Sequence, residues 1–161
     1  MHLKELYDYW QSHTAGDVPP RRQDVDPPIQ IPHILPWVFL VDREGREFRL
    51  RLVGSEIVAR AGKDNTGRKV DATLMDEQSL ASWITLLSSA WDAQEPVLYS
   101  FDLKALEPPR GLLLPLLDDD GQTKVLLCGL FFQRYRGFIR RDETTGLFEV
   151  PIKSLPLEEL N

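Results

Sequence analysis

The sequence contains one cysteine, three histidines and no hydrophobic run long enough to span a membrane. Because Cys128 has no second cysteine to pair with, an oxidising compartment would not stabilise the fold through a disulfide. Acidic residues interrupt the apolar residues of the first ten positions, so no signal peptide is predicted. The longest apolar runs, 112–117 and 125–132, have the length of strands. We therefore expect a cytoplasmic protein.

The sequence also lacks an excess of positive charge. Its formal net charge is −6 and its isoelectric point is near 5.1. Nucleic acids and anionic membranes both select basic surfaces, so neither is an expected partner. One basic cluster, at positions 134, 136, 140 and 141, lies beside acidic residues 142 and 143. Such mixed charge is more typical of a solvated face than of a phosphate-binding track.

Motifs that carry catalysis or metal binding are missing as well. The sequence has no glycine-rich phosphate loop, zinc-ligand spacing or nucleophile elbow. Three adjacent acids at 118–120 suggest a turn tip, because a cation needs ligands that converge from several positions. His33 could pair with Asp24 or Asp26, but no nucleophile accompanies them. We predict a protein that is not an enzyme and has no metal site.

What the sequence does contain is the size and composition of one globular domain. It has 161 residues, of which 42% are hydrophobic and 27% charged. We divide it into an N-terminal helix and proline-rich segment (1–36), a core (37–133) and a C-terminal extension (134–161). Half of the prolines fall within 17–36, a segment that we call the strap. The extension is expected to form a β-arm or to stay mobile until a partner binds.

Within the strap, Arg21, Arg22 and Asp26 allow two interpretations. They could clamp an anionic ligand or a partner protein. Alternatively, they pair with one another and with backbone carbonyls, which an irregular buried segment needs as hydrogen-bond partners. We favour the structural role.

Hydrophobic periodicity predicts an α+β order of elements. Leu3, Leu6, Tyr7 and Trp10 form one stripe of an N-terminal helix that stops by Gly16. Two strands, 37–42 and 47–53, form a hairpin, and a short helix capped by Ser55 ends at Gly62. The longest helix, 77–93, begins after Asp76. Three strands follow, listed here by their predicted ranges: 97–103, 110–117 and 123–132.

This order, together with a set of short motifs, resembles the PAS domain family, in a form common in alphaproteobacteria. The motifs are YW at 9–10, PRR at 20–22, VDP at 25–27, IPHILP at 31–36, FLVD at 39–42, FRLRLVG at 48–54, NTG at 65–67, LLPL at 113–116 and DG at 120–121. The resemblance covers about residues 3–132. It implies a five-stranded antiparallel sheet with central strands 1 and 5, helices on one face and a small-molecule cavity between them.

The resemblance also implies which side chains would surround a ligand. The apolar candidates come from the helices and the inward strand faces: Ile57, Ala61, Trp83, Leu87, Tyr99 and Leu114. Arg51 or Arg110 would be a polar anchor. Periodicity leaves open whether Arg51 faces the cavity or points outward to an acid such as Asp26 or Glu47. The plainer alternative is that the apolar side chains simply fill the core.

No cofactor is expected. Histidine-ligated haem needs a histidine on the helical wall, whereas His2, His13 and His33 lie in the N-terminal helix and strap. Flavin photochemistry in PAS domains uses a cysteine on the helical side, whereas Cys128 lies in the last apolar strand, where a buried inert thiol is the usual outcome.

Two functions follow from these observations. The first is a non-enzymatic sensory or regulatory domain that binds a small apolar or anionic ligand and signals through protein contacts in trans. The alternative is a ligand-free interaction module that forms homodimers through its sheet face or its N-terminal helix. Exposed apolar residues on the N-terminal helix would favour the alternative, because large apolar patches mark interaction surfaces.

Overall fold

The computed structural model describes residues 2–160, and within them four α-helices and six β-strands occur. The helices are α1 (His2–Ser12), α2 (Pro27–Gln30), α3 (Ser55–Ala61) and α4 (Glu77–Ala93). The strands are β1 (Val38–Glu44), β2 (Glu47–Val53), β3 (Val97–Phe101), β4 (Arg110–Leu117), β5 (Thr123–Phe131) and β6 (Ile152–Leu155). Three short 3₁₀ helices are Arg22–Asp24, Pro32–Trp37 and Leu157–Leu160.

The strands form one antiparallel sheet in the order β2-β1-β5-β4-β3-β6. The predicted α+β class is confirmed, and the sheet has six strands rather than the expected five. The sixth strand comes from the C-terminal extension and pairs with β3, from Leu98 opposite Leu155 to Phe101 opposite Ile152. Without β6, strand β3 would expose a row of unpaired backbone groups at the sheet edge.

Both faces of this sheet are covered, so it serves two hydrophobic cores. Strand β4 shows the division, because successive side chains of a strand point to opposite faces. Leu113 packs in the cluster with α3 and α4, whereas Leu112 and Leu114 pack in the cluster with α1 and the strap. The nearly unbroken apolar character of β4 follows from this double coverage.

Helix α4 begins and ends where the sequence predicts. The Asp76 side chain accepts a hydrogen bond from the backbone N–H of Ser79 at 3.0 Å and so caps the first turn. Helix α3 is capped differently from the prediction, because Gly54 rather than Ser55 is its N-cap residue. A Cβ atom on Gly54 would collide with the carbonyl oxygens of Leu35 and Pro36, so only glycine allows this close approach.

Helix α1 lies across the sheet on the face opposite α4. Its residues Leu3, Leu6 and Trp10 are 2%, 0% and 4% exposed. The Trp10 indole N–H also donates to the carbonyl of Pro115 in β4 at 2.9 Å. The apolar stripe of α1 is therefore used inside the molecule. It does not provide the exposed apolar patch that would favour a homodimer formed through this helix.

The strap follows α1 along the same face and is folded into short helical turns. Arg22 donates to the carbonyl of Val25 at 3.1 Å, and Arg21 lies 3.6 Å from Asp24 and 3.5 Å from Asp119. These contacts join strap residues to one another and to the β4–β5 turn. They agree with the structural interpretation of the two arginines.

The C-terminal extension returns across the other face and contacts the segment before α4. Phe148 donates its N–H to the carbonyl of Leu74 at 3.0 Å, and its own carbonyl accepts from the N–H of Asp76 at 3.0 Å. Further along, Val150 and Ile152 are buried and β6 joins the sheet. Among residues 2–160, no helix combines the length and hydrophobicity that crossing a membrane would require.

Candidate functional site

A cavity of about 110 Å³ lies between the sheet and helices α3 and α4. The sheet contributes Phe39, Val41, Leu50, Val53, Phe101 and Leu130. The helices contribute Ile57, Ala61, Trp83 and Leu87. The segment between α3 and α4 contributes Lys63, Asn65, Val70, Leu74 and Met75. Apart from Lys63 and Asn65, these side chains are all apolar, which is typical of a small-molecule pocket.

Asn65 is the buried polar side chain in this wall. It is 8% exposed, and its Oδ1 atom has no hydrogen-bond partner among the described residues. A tight turn fixes its position, because Asp64 accepts hydrogen bonds from the backbone N–H of Thr66 at 3.0 Å and from the Thr66 hydroxyl at 2.6 Å. Leaving a buried acceptor unpaired costs about 1–3 kcal/mol, so such an atom requires an explanation.

The C-terminal extension completes the cavity. Ile139, Phe148 and Val150 form part of its wall. Both backbone polar groups of Val150 form hydrogen bonds with side chains of α4. Its N–H donates to the Ser79 hydroxyl at 2.7 Å, and its carbonyl accepts from the Trp83 indole N–H at 2.9 Å. Any molecule in the cavity would therefore touch the extension as well as the core.

The structure places four of the sequence-predicted residues in the cavity wall, namely Ile57, Ala61, Trp83 and Leu87. Tyr99 lies one layer behind them. Its ring packs edge-on against Trp83 at 5.2 Å, and its hydroxyl donates to the carbonyl of Gly129 at 3.0 Å. Complete burial raises the pKa of Tyr99 well above its ordinary value, so it stays a neutral donor.

Three other predicted residues lie away from the cavity. Leu114 faces the α1 side of the sheet, because it is one position out of phase with Leu113 on β4. Arg51 points outward from β2 and forms an ion pair with Asp42 on β1. Arg110 donates to the backbone carbonyl of Glu159 in the C-terminal extension. None of these three side chains is positioned to anchor a ligand in this cavity.

Comparison with known families adds to this geometry. Residues 1–131 match the family described as PAS domain. The chain belongs to the PAS domain family. Membership in this family indicates a sensory or regulatory domain. Among curated proteins, none matches the chain.

In this PAS domain, the groups considered for cofactors lie outside the cavity wall. His2 and His13 lie on or just after α1, and His33 lies in the strap. Cys128 is fully buried in β5, and burial raises the pKa of its thiol well above the ordinary value. Asp118 accepts hydrogen bonds from the N–H groups of Asp120 and Gln122 at 2.8 and 3.0 Å, so its carboxylate closes the β4–β5 turn.

Sequence reasoning missed Asn65 and the three extension residues Ile139, Phe148 and Val150. The wall residues from the strands and from the segment between α3 and α4 were not predicted as site residues either. Asn65 belongs to an NTG motif that is typical of a turn, and only the fold directs its side chain inward. The NTG motif is one of the motifs on which the family resemblance rests, and this resemblance is the signal that could have identified Asn65. The extension offered no comparable signal, because backbone hydrogen bonds to distant residues fix its position.

Proposed function

We propose that this PAS domain is a non-enzymatic sensory module that binds one small apolar molecule carrying a single hydrogen-bond donor. The observation that carries the proposal is the unpartnered Oδ1 atom of Asn65 in a wall whose other residues, apart from the exposed Lys63, are apolar. A ligand O–H or N–H group would satisfy this acceptor, while the remainder of the ligand would fill apolar space. Pockets of this composition bind through apolar contact and use a few polar groups to orient the ligand.

The size of the cavity restricts the ligand. An engineered apolar cavity of about 150 Å³ holds one benzene molecule. A cavity of about 110 Å³ therefore suits a single ring or a short aliphatic chain, with modest side-chain adjustment. Phenol is a suitable probe because it combines one ring with one donor, and toluene is its matched analogue without the donor.

The positions of the charged residues favour a neutral ligand over the anionic one that the sequence left open. Arg51 is engaged with Asp42, and Arg110 with the backbone of Glu159. Lys63 is the cation among the residues that line the cavity, and it is exposed to solvent. An anion buried against the apolar wall would lose its hydration without gaining a buried partner.

The C-terminal extension provides a route by which binding reaches a partner protein. Phe148 and Val150 contact the cavity, and β6 follows directly on the sheet edge. A ligand that contacts Phe148 and Val150 would stabilise the docked extension by its differential affinity for that state. Signalling in trans would then consist of a change in how often the extension and the β3 edge are available to the partner.

The proposal is tested by measuring phenol and toluene binding to the wild-type chain and to the Asn65→Leu variant, by calorimetry or thermal shift. Leucine keeps the volume but removes the acceptor. A net hydrogen bond is worth about 1 kcal/mol, so the ratio of phenol to toluene affinity should fall by about fivefold in the variant. The variant should be at least as stable as the wild type, since it removes an unpaired buried acceptor.

Ile34→Val is the matched control. Ile34 is fully buried on the opposite face of the sheet, so this change should lower stability by about 1 kcal/mol and leave the affinity ratio unchanged. An equal affinity ratio in the wild type and Asn65→Leu, with both ligands bound, would show that Asn65 does not recognise the donor. Absence of phenol binding to the wild type would overturn the proposal for ligands of this size.

A further inference from the structure

A group of side chains of the types that bind metal ions lies on the sheet face opposite the cavity, between α1 and the strap. His2 and Glu5 are three residues apart on α1, so they occupy one face of the helix. His33 reaches the same place from the strap. The Glu5 carboxylate lies between the two rings, with Oε1 3.1 Å from Nδ1 of His2 and Oε2 2.6 Å from Nε2 of His33.

The three side chains lie close enough together to share one transition-metal ion once their rotamers adjust. One ligand atom from each of the three residues can be chosen so that all lie within 4.8 Å of one another. In a tetrahedral zinc site with bonds of about 2.0–2.1 Å, ligand atoms lie about 3.3 Å apart. Small side-chain rotations are therefore enough to admit an ion. Two imidazoles and one carboxylate suit zinc and its neighbours better than magnesium or calcium.

Buried neighbours fix the backbone at each of the three positions. On α1, Leu3 and Leu6 flank the pair in sequence and are 2% and 0% exposed. In the strap, Ile34 follows His33 and is also fully buried. The ring of His2 stacks on Trp37 at 5.0 Å with an interplanar angle of 26°. Because these anchors exist without an ion, little ordering remains to oppose binding.

The group is also accessible to solvent. All three side chains keep substantial exposure, between 38% and 56%, so water has access to complete the coordination.

We propose that His2, Glu5 and His33 form a binding site for one divalent transition-metal ion of the zinc class, which links helix α1 to the strap. The ion would add a further link between two segments that already meet through side-chain packing and through hydrogen bonds of Tyr9 with Asp26 and Gln30. Since it binds only the folded arrangement, it would raise the stability of the N-terminal region as its concentration rises. This site lies on the opposite face of the sheet from the proposed ligand cavity, and neither proposal depends on the other.

The test uses the full chain purified without a histidine tag and freed of metal by a chelator. Zinc binding is measured by calorimetry, and Co²⁺ binding by the visible absorption of the bound ion. We expect one ion per chain. Glu5→Gln and His33→Ala should each weaken zinc binding by at least about tenfold, since loss of residues that merely support a metal ligand already costs tenfold or more.

His13→Ala is the matched control, because it removes the remaining histidine while retaining the other two. The Nδ1 atom of His13 lies 2.8 Å from the carbonyl of Tyr9, at the far end of α1. This variant should bind zinc as the wild type does. Circular dichroism checks that each variant is folded. Absence of stoichiometric zinc binding to the wild type would overturn the proposal, as would equal affinity in Glu5→Gln and the wild type.

Discussion

At the scale of single residues, Asn65 and Cys128 are both buried but differ in what their environment provides. Asn65 lies in the wall of the cavity, and its buried Oδ1 atom has no partner among the described residues. Cys128 lies in the middle of β5 and contacts the Leu126 carbonyl through its sulfur at 3.6 Å. The thiol therefore behaves as a small apolar side chain, whereas the amide retains an unused capacity for binding.

The environment of Cys128 predicts how it reacts. Burial raises the pKa of the thiol, and reaction with disulfide reagents needs an exposed thiolate. In the native protein at pH 8, modification by Ellman's reagent should be limited by opening of the fold and should accelerate through the urea unfolding transition. The rate of modification against urea concentration checks this. Rapid modification without denaturant, at the rate of the unfolded chain, would contradict the buried position.

At the scale of elements, α4 and the C-terminal extension behave as one unit. Ser79, Ser82 and Trp83 lie on one side of α4 and hold the extension by its backbone. The N–H of Val150 donates to the Ser79 hydroxyl, and that of Ile152 donates to the Ser82 hydroxyl at 3.1 Å. The hydroxyl groups of Ser79 and Ser82 therefore link α4 to the backbone of the extension.

Ser79→Ala should therefore release the extension locally. The buried N–H of Val150 would lose its acceptor, which costs about 1–3 kcal/mol. Hydrogen exchange of the Val150 amide should accelerate more than exchange in the central strands, because opening of the extension need not unfold the core. Ser89→Ala is the control, since Ser89 is exposed on the same helix and its loss should leave both stability and exchange nearly unchanged. Unchanged protection of Val150 in Ser79→Ala would refute the coupling.

At the scale of the whole molecule, one sheet separates two environments. One face holds the cavity, and the other holds α1, the strap and the proposed metal site. Apolar periodicity was sufficient to predict α4, β2 and β4, because each is long or strongly patterned. The order of the strands came from family resemblance, since side-chain spacing carries no information about which strands pair. Local pattern does not specify the sixth strand, because β6 has only four residues and is stabilised by its partner β3.

The candidate site could be predicted only in part, because contacts between distant parts of the chain decide where several of its side chains point. Ile57, Trp83 and Leu87 lie on helical stripes whose inward direction the sequence reveals. The direction of Arg51 depends on strand phase and on Asp42, which lies across the hairpin. The His2, Glu5 and His33 group depends on how the strap crosses α1, a long-range contact that no local pattern specifies.

The most direct test of the central claim is an NMR titration of the isotopically labelled chain with phenol, read through contacts between phenol protons and protein methyl groups. The proposed cavity predicts contacts to Ile57 and Leu87, together with a chemical-shift change of the Asn65 side-chain amide. Leu114 and Leu127, on the opposite face of the sheet, should show no such contacts. Saturable phenol binding that contacts only the opposite face or the surface would contradict the account.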